Sequence, residues 1–174
     1  MPEFSDRHDV EIVLLLAAPT HRYEGRPADG PAPATPVEVR TRIELKAGLG
    51  VVGDRHFNRP AHRRASATVM AVEKVEALVP ALGLDAVPDF AATRRNIMLR
   101  GADVDALKGR RFVLDSGDGP VEFQGHRPAN PCAWMDVMLA PGAFKALRGG
   151  GGIRCEPLTN GVLTKGPATL TILD

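Results

Sequence analysis

Glycine and proline interrupt this chain so often that long helices have nowhere to form. They supply 18 and 15 of its 174 residues, nearly a fifth of the total. Proline fixes φ and removes a backbone donor, while glycine is the residue tight turns accept most readily. Many short strands joined by turns are the architecture such punctuation favours. A chain of this length fits one domain that buries roughly 70% of its unfolded surface. We therefore expect a single domain over residues 1–174, held by an apolar core. Hydrophobic residues at 44% and charged residues at 25% are adequate for one.

The formal net charge is +1, so no bulk field draws nucleic acid or an anionic membrane surface, and neither is an expected partner. Any anion site has to be built by a local cluster. With only Cys132 and Cys155, a disulfide scaffold is excluded. The opening Met-Pro-Glu-Phe-Ser-Asp lacks the basic-then-apolar profile of a secretory leader. The apolar run 12–18 is far shorter than the ~20 residues a membrane span needs. A cytoplasmic protein is the expectation.

Short elements follow from the local pattern. Glu11–Ala18 reads as a buried strand and Val37–Leu45, which alternates apolar with polar, as a half-buried one. Between them the proline-rich stretch Pro27–Pro36 predicts an exposed loop. Ser66–Ala71 reads as a strand running into a helix over Val72–Leu82, where Val72, Val75, Val79 and Leu82 recur at helical spacing and Gly83 supplies the stop. Thr93–Leu99 predicts a basic turn entering a strand. Arg111–Asp115 and Val121–Gly125 flank Ser-Gly-Asp-Gly-Pro, a hairpin signal. Asn130-Pro131 marks a helix start, an N-cap followed by proline at the first helical position, with the helix running to about Leu139. Strands are expected over Ile153–Leu158, to Thr164 and over Ala168–Leu173. About seven to nine strands and two to four helices make a mainly β (α+β) chain with a β-barrel-like core.

Cys132 is the foremost chemical candidate. If Asn130 caps the helix, this thiol lies in the first turn, where unsatisfied amides and the helix dipole favour a thiolate, the form that attacks and ligates metals. His126 and Arg127 lie just upstream. A buried structural thiol is the alternative. Cys155, in a predicted strand, reads as packing. Arginines cluster at Arg55, Arg63 and Arg64, at Arg94 and Arg95, at Arg127, and at Arg148 and Arg154. Such guanidiniums suit bidentate contacts to phosphate or carboxylate, and a solvated surface is the alternative for each. Gly149–Gly152 lets backbone approach an anion or merely connects two elements. Asp54, His56 and His62 are zinc-compatible types, but no fixed spacing supports a metal site, which favours structural roles. Trp134 and Met135 read as packing beside Cys132, one wall of a pocket.

In order along the chain these segments resemble the MOSC family, named for the C-terminal domain of molybdenum-cofactor sulfurase, in a stand-alone bacterial-type form. Gly48–His56 is similar to its glycine-rich GDxH loop. His62-Arg63-Arg64-Ala65-Ser66, followed by a helix carrying Glu73, is similar to the next block. Arg94-Arg95-Asn96-Ile97 with Gly101-x-Asp103-Val104-x-x-Leu107-x-Gly109 looks like the central RxNI…G pattern, and Pro131-Cys132 stands where the family carries its cysteine. Gly151-Gly152 and Gly161…Gly166 complete the order. Two departures are Gly166-Pro167, where the family usually has Gly-Asp, and the proline-rich loop, which looks like an insertion.

The resemblance implies a MOSC-type barrel that binds the molybdenum cofactor (molybdopterin) or persulfide sulfur destined for metal centres. It assigns Cys132 as metal ligand or persulfide carrier. Arg94 and Asn96 would contact the pterin phosphate or its surroundings, with Arg55 and His56 at the same mouth and Arg63 and Arg127 among the anion-binding set. Thiolate is a soft ligand suited to molybdenum. Two functions follow: a molybdenum-dependent reductase of N-hydroxylated compounds, or a non-catalytic carrier of cofactor or sulfur. The sequence carries no flavin or iron–sulfur pattern, so an electron or sulfur donor would be a separate protein. A ligand-binding barrel with no molybdenum link is the third reading.

Overall fold

The computed structural model describes residues 6–173. The opening Met1–Ser5, which carries most of the leader reading, lies outside them. Among the described residues no helix is long and apolar enough to cross a membrane.

The strands are β1 (Asp6–Leu16), β2 (Val39–Arg40), β3 (Arg42–Lys46), β4 (Gly50–Val51), β5 (Ala67–Ala71), β6 (Ile97–Arg100), β7 (Arg111–Asp115), β8 (Pro120–Pro128), β9 (Ile153–Pro157), β10 (Gly161–Thr164) and β11 (Gly166–Ile172). Among the described residues four short α-helices accompany them: α1 (Val72–Glu76), α2 (Leu78–Leu82), α3 (Trp134–Met138) and α4 (Ala143–Ala146). Seven strands close on themselves in the order β1-β6-β5-β9-β8-β7-β11, with β11 pairing back to β1. Closure removes the free edges an open sheet would expose. Every neighbouring pair in the ring is antiparallel except β5–β6, which is parallel, and the crossover between those two strands carries α1 and α2. A small sheet, β10-β3-β4, sits beside the barrel.

The expected mainly β barrel is what forms. The alternation of β7 and β8 sends Phe112, Leu114, Val121 and Phe123 inward, all fully buried. Phe112 and Phe123 stack there with centroids 5.2 Å apart. Each such side chain contributes about 1.5–3 kcal/mol through burial. Strands β5 and β6 are buried on both faces: Val69, Ile97 and Leu99 join the barrel interior, while Met70 and Met98 face outward into a second apolar cluster beneath the helices.

Several boundaries differ from expectation, each for a local reason. Val37–Leu45 is two strands, because β2 pairs with β1 while β3 pairs with β10 in the other sheet. The Val72–Leu82 periodicity is shared by α1 and α2, which meet at Ala77. Pro80 cannot donate to the Glu76 carbonyl, so one continuous ladder is impossible. Gly83 stops α2 in the left-handed conformation, φ 66°. The helix after Pro131 begins three residues late, at Trp134, with consequences for the site.

Candidate functional site

A cleft of about 220 Å³ opens on the outer wall of the barrel, and Cys132 lies at it. Its floor is the outward face of the ring: Thr68 from β5 and Arg154 from β9. Loops supply the walls: His21–Tyr23 after β1, Arg55 and His56 after β4, Thr93–Arg95 before β6, and Asn130–Cys132 with Met135. Alternation along β9 explains Arg154. Ile153 and Cys155 point into the core, so the residue between them must point out.

Cys132 is exposed. It does not lie in the first turn of a helix, as the Asn130-Pro131 pattern predicts. Asn130 is not the cap; Ala133 holds that position, and the Cys132 carbonyl instead accepts the Met135 N–H at 2.9 Å. The cause is tertiary. The Ala129 N–H donates to the Gly152 carbonyl at 2.8 Å, and the Arg95 Nη2 and Nε donate to the Ala129 and Gly151 carbonyls at 2.8 and 2.9 Å. These bonds hold the segment extended until Pro131. Helix-dipole activation therefore drops out, and what faces the thiol is a set of guanidiniums.

Five arginines line the cleft: Arg22, whose Nε donates to the Ala32 carbonyl at 2.8 Å, and four more that fall into two kinds. Arg94, buried and left-handed at φ 61°, is ion-paired with buried Glu38, donates to the Thr20 carbonyl at 3.1 Å and lies over the Tyr23 ring. Arg55 is paired with buried Asp54 at 3.2 Å. Arg95 and Arg154 have no carboxylate partner among the described residues. Burial, and then the charge of Arg154, lowers Arg95 to about 10, with Cys132 among the groups opposing the shift. Burial followed by Arg127 lowers Arg154, and Cys132 again opposes. Both remain cationic at neutral pH, so two positive charges face the thiol uncompensated.

His56 is the opposite case. Burial, then Arg55, His62 and His21, push it down to about 3, so the ring is neutral and contributes shape and hydrogen bonding rather than charge. Its ring packs against His21 at 5.2 Å and His62 at 4.9 Å. Asp54 is structural: it accepts the Ala18 and His56 N–H groups at 3.1 and 3.2 Å. Among the described residues no group of three or more His, Cys, Asp or Glu side chains converges as a metal site. A metal at Cys132 would take this one thiolate and draw its other ligands from elsewhere, which fits a metal arriving in its own chelating cofactor.

The remaining sequence candidates lie elsewhere. Asn96 is behind the wall, its amide spent on the Leu16 carbonyl at 3.0 Å and on the Thr68 N–H and hydroxyl at 3.0 and 3.1 Å. Buried there, it holds β1 against β5 and does not line the cleft. Arg63 and Arg127, with His126, line a separate depression. The glycine run is packing: a Cβ on Gly151 would lie 2.2 Å from the Ala129 carbonyl oxygen, and one on Gly152 2.1 Å from that of Val69. Cys155 is fully buried, its thiol 3.5 Å from the Ala67 carbonyl, and burial pushes it far up. Trp134 does pack beside the cleft, stacked on Tyr23 at 5.1 Å.

Two residues the cleft turns on, Arg95 and Arg154, stand among the arginine clusters read from the sequence but outside the cofactor-binding set that the family resemblance assigns. Arg154 was legible from the alternation in Gly-Ile-Arg-Cys-Glu-Pro. Nothing local separates Arg95 from Arg94. Tyr23 and His21 carry no motif at all.

No protein-family model and no curated protein sequence matches the chain. Solved structures do. YuaD from Bacillus subtilis aligns with a TM-score of 0.69 at 17% identity, covering 98% of this chain and all of that one. YiiM from Escherichia coli aligns with a TM-score of 0.59 at 14% identity, covering 97% of this chain and 70% of that one. YiiM from Geobacillus stearothermophilus gives 0.59 at 15%, with 95% and 75% covered. At such identities the likeness is one of architecture, and the chain has the fold these proteins share.

Proposed function

We propose that this is a MOSC-type domain that holds the molybdenum cofactor, with Cys132 as the protein ligand to the metal. The observation that carries the reading is an exposed thiol at a cleft whose lining includes the unneutralised guanidiniums of Arg95 and Arg154. Leaving cations half-buried without a counter-charge costs free energy in the empty protein. An anionic ligand offsets that cost. A pterin dithiolene with its phosphate is such an anion, and it supplies the chelating sulfurs that the lone thiolate lacks. When bound, the metal would supply two-electron redox or sulfur-transfer chemistry.

The chain's own residues would divide the remaining work. Arg95 and Arg154 bind negative charge, and Arg94 and Arg55 shape the wall while tied to Glu38 and Asp54. Neutral His56 lines the mouth. The cleft is below the ~300–1,000 Å³ of pockets that engulf a drug-sized ligand, so part of the cofactor would lie across the opening. Electrons for reduction of an N-hydroxylated compound, or sulfur for delivery, would come from a separate donor protein.

Elemental analysis of protein purified from a cofactor-competent host tests the proposal. Wild type and Cys155→Ser are expected to carry molybdenum, and Cys132→Ser to fall to background with its melting temperature unchanged. A persulfide on Cys132 with no molybdenum would select the sulfur-carrier reading. Equal molybdenum in both variants would refute a role for Cys132.

A further inference from the structure

Beside the cleft lies a second set of cations that does not line it. Arg63, Arg64 and Arg127 line one surface depression, and all three are exposed. A β-bulge puts Arg127 there. The β8–β9 register pairs Gly125 with Cys155 and then Arg127 with Arg154, so His126 is the extra residue. Without it His126 would oppose Arg154. Bulges re-aim side chains near functional sites, and this one sets Arg127 directly across from the arginine of the cleft floor. Directly opposed residues project from the same face of a sheet, and like charges there are destabilising. Positive surface therefore continues from the rim to the thiol.

Counter-charge at the rim is scarce. Among the described residues Glu156 is the one carboxylate ion-paired with this group, and His126 at 2.9 Å and Arg63 at 3.4 Å share it. With a net charge of +1 for the whole chain, the rim is a local concentration and not the surface of a basic protein. Its guanidiniums are solvated, with the Arg63 side chain 69% exposed. Each would hold a small anion weakly, whereas several together suit a broad acidic face and accelerate its approach. Among the described residues no Phe, Tyr or Trp lines the depression, so they offer nucleobases no aromatic stacking platform of that kind.

We propose that the rim formed by Arg63, Arg64 and Arg127 docks the acidic face of a protein partner that exchanges with Cys132. The proposal rests on reading Cys132 as the working thiol, and its test does not need the cofactor. In a Cys155→Ser background the probe is a glutamate-rich peptide whose single cysteine carries a pyridyl disulfide, compared with a neutral peptide of equal length. The Cys132 thiolate attacks the peptide sulfur, a Cys132–peptide disulfide forms as the peptide–pyridyl bond breaks, and pyridine-2-thione leaves and is read by absorbance.

At low ionic strength the acidic peptide is expected to react at least about tenfold faster than the neutral one, with the advantage disappearing in high salt. Arg63→Glu with Arg64→Glu, neither of which lines the cleft, should abolish it and leave the neutral peptide's rate unchanged, while the milder glutamine pair should halve it. Equal rates for the two peptides in the unmodified rim would overturn the proposal, as would an advantage that survives charge reversal. Displacement of the acidic peptide by a single-stranded oligonucleotide would reassign the rim to nucleic acid. Molybdenum content is measured alongside: unchanged in the charge-reversed protein, it separates docking from cofactor binding; lost, it assigns the rim to the cofactor and overturns docking. Molybdenum absent from wild type would defeat the cofactor reading alone, since the peptide rates still decide docking.

Discussion

Strand β9 puts two environments one residue apart. On its inner side Cys155 is fully buried among barrel side chains, and its thiol has one carbonyl for company. On its outer side Arg154 faces the cleft that Cys132 also lines. The inner side obeys the ordinary rule of folding, in which apolar groups fill space and burial suppresses ionisation. The outer side leaves Arg95 and Arg154 without carboxylates where Arg94 and Arg55 have them. The same backbone thus serves stability on one face and ligand binding on the other, and substitutions on the two faces should separate the two properties.

The largest effect belongs to the inner face. Phe123→Ala removes a fully buried ring stacked on Phe112 and should cost about 3–5 kcal/mol in a denaturant titration. The alkylation rate of Cys132 in the still-folded protein should not change. Glu38→Gln comes next, because it leaves the buried Arg94 charge uncompensated, at a cost of about 3 kcal/mol. Its pH dependence has a definite sign. Burial pushes the Glu38 carboxyl up, but hydrogen bonds from Thr35 and Arg94 outweigh it and hold the group below its ordinary 4.5. Its stabilisation is present above that value and is lost as pH falls through the lowered one. Wild type should therefore lose stability in acid more steeply than Glu38→Gln.

Arg154→Met should do the reverse of Phe123→Ala. Loss of a charged contact predicts a fall of roughly tenfold in affinity for inorganic pyrophosphate by calorimetry. The melting temperature should hold or rise slightly, because Arg127 loses its like-charged opposite. The smallest effect is at His56. With the ring neutral down to about pH 3, wild type and His56→Gln should show pyrophosphate affinities with the same pH dependence between pH 5 and 8. An inflection near pH 6 present only in wild type would show a protonatable His56 and a cleft wetter than described.

The barrel was legible because its signals are local. Alternation in β7 and β8, and the Ser-Gly-Asp-Gly-Pro turn between them, fix a hairpin whatever surrounds it. The Asn130-Pro131 signal misled because a helix start depends on what the preceding carbonyls do. Here Arg95 and the start of β9 claim the segment first. Cys132 could be singled out by residue type and motif position, but its surroundings could not. Whether a guanidinium is spent on a carboxylate depends on residues dozens of positions away, as with Arg94 and Glu38. Asn96 shows the same limit from the other side, since a motif residue that resembles a ligand turns out to pin β1 to β5.

Protection of Cys132 by an anion is the most direct measurement. In a Cys155→Ser background, neutral iodoacetamide modifies the remaining thiol while inorganic pyrophosphate is titrated in. The account predicts that pyrophosphate slows alkylation saturably in this protein and has little effect once Arg154→Met is added. Alkylation indifferent to pyrophosphate, or equal protection with and without Arg154, would contradict a shared site for the thiol and the guanidiniums.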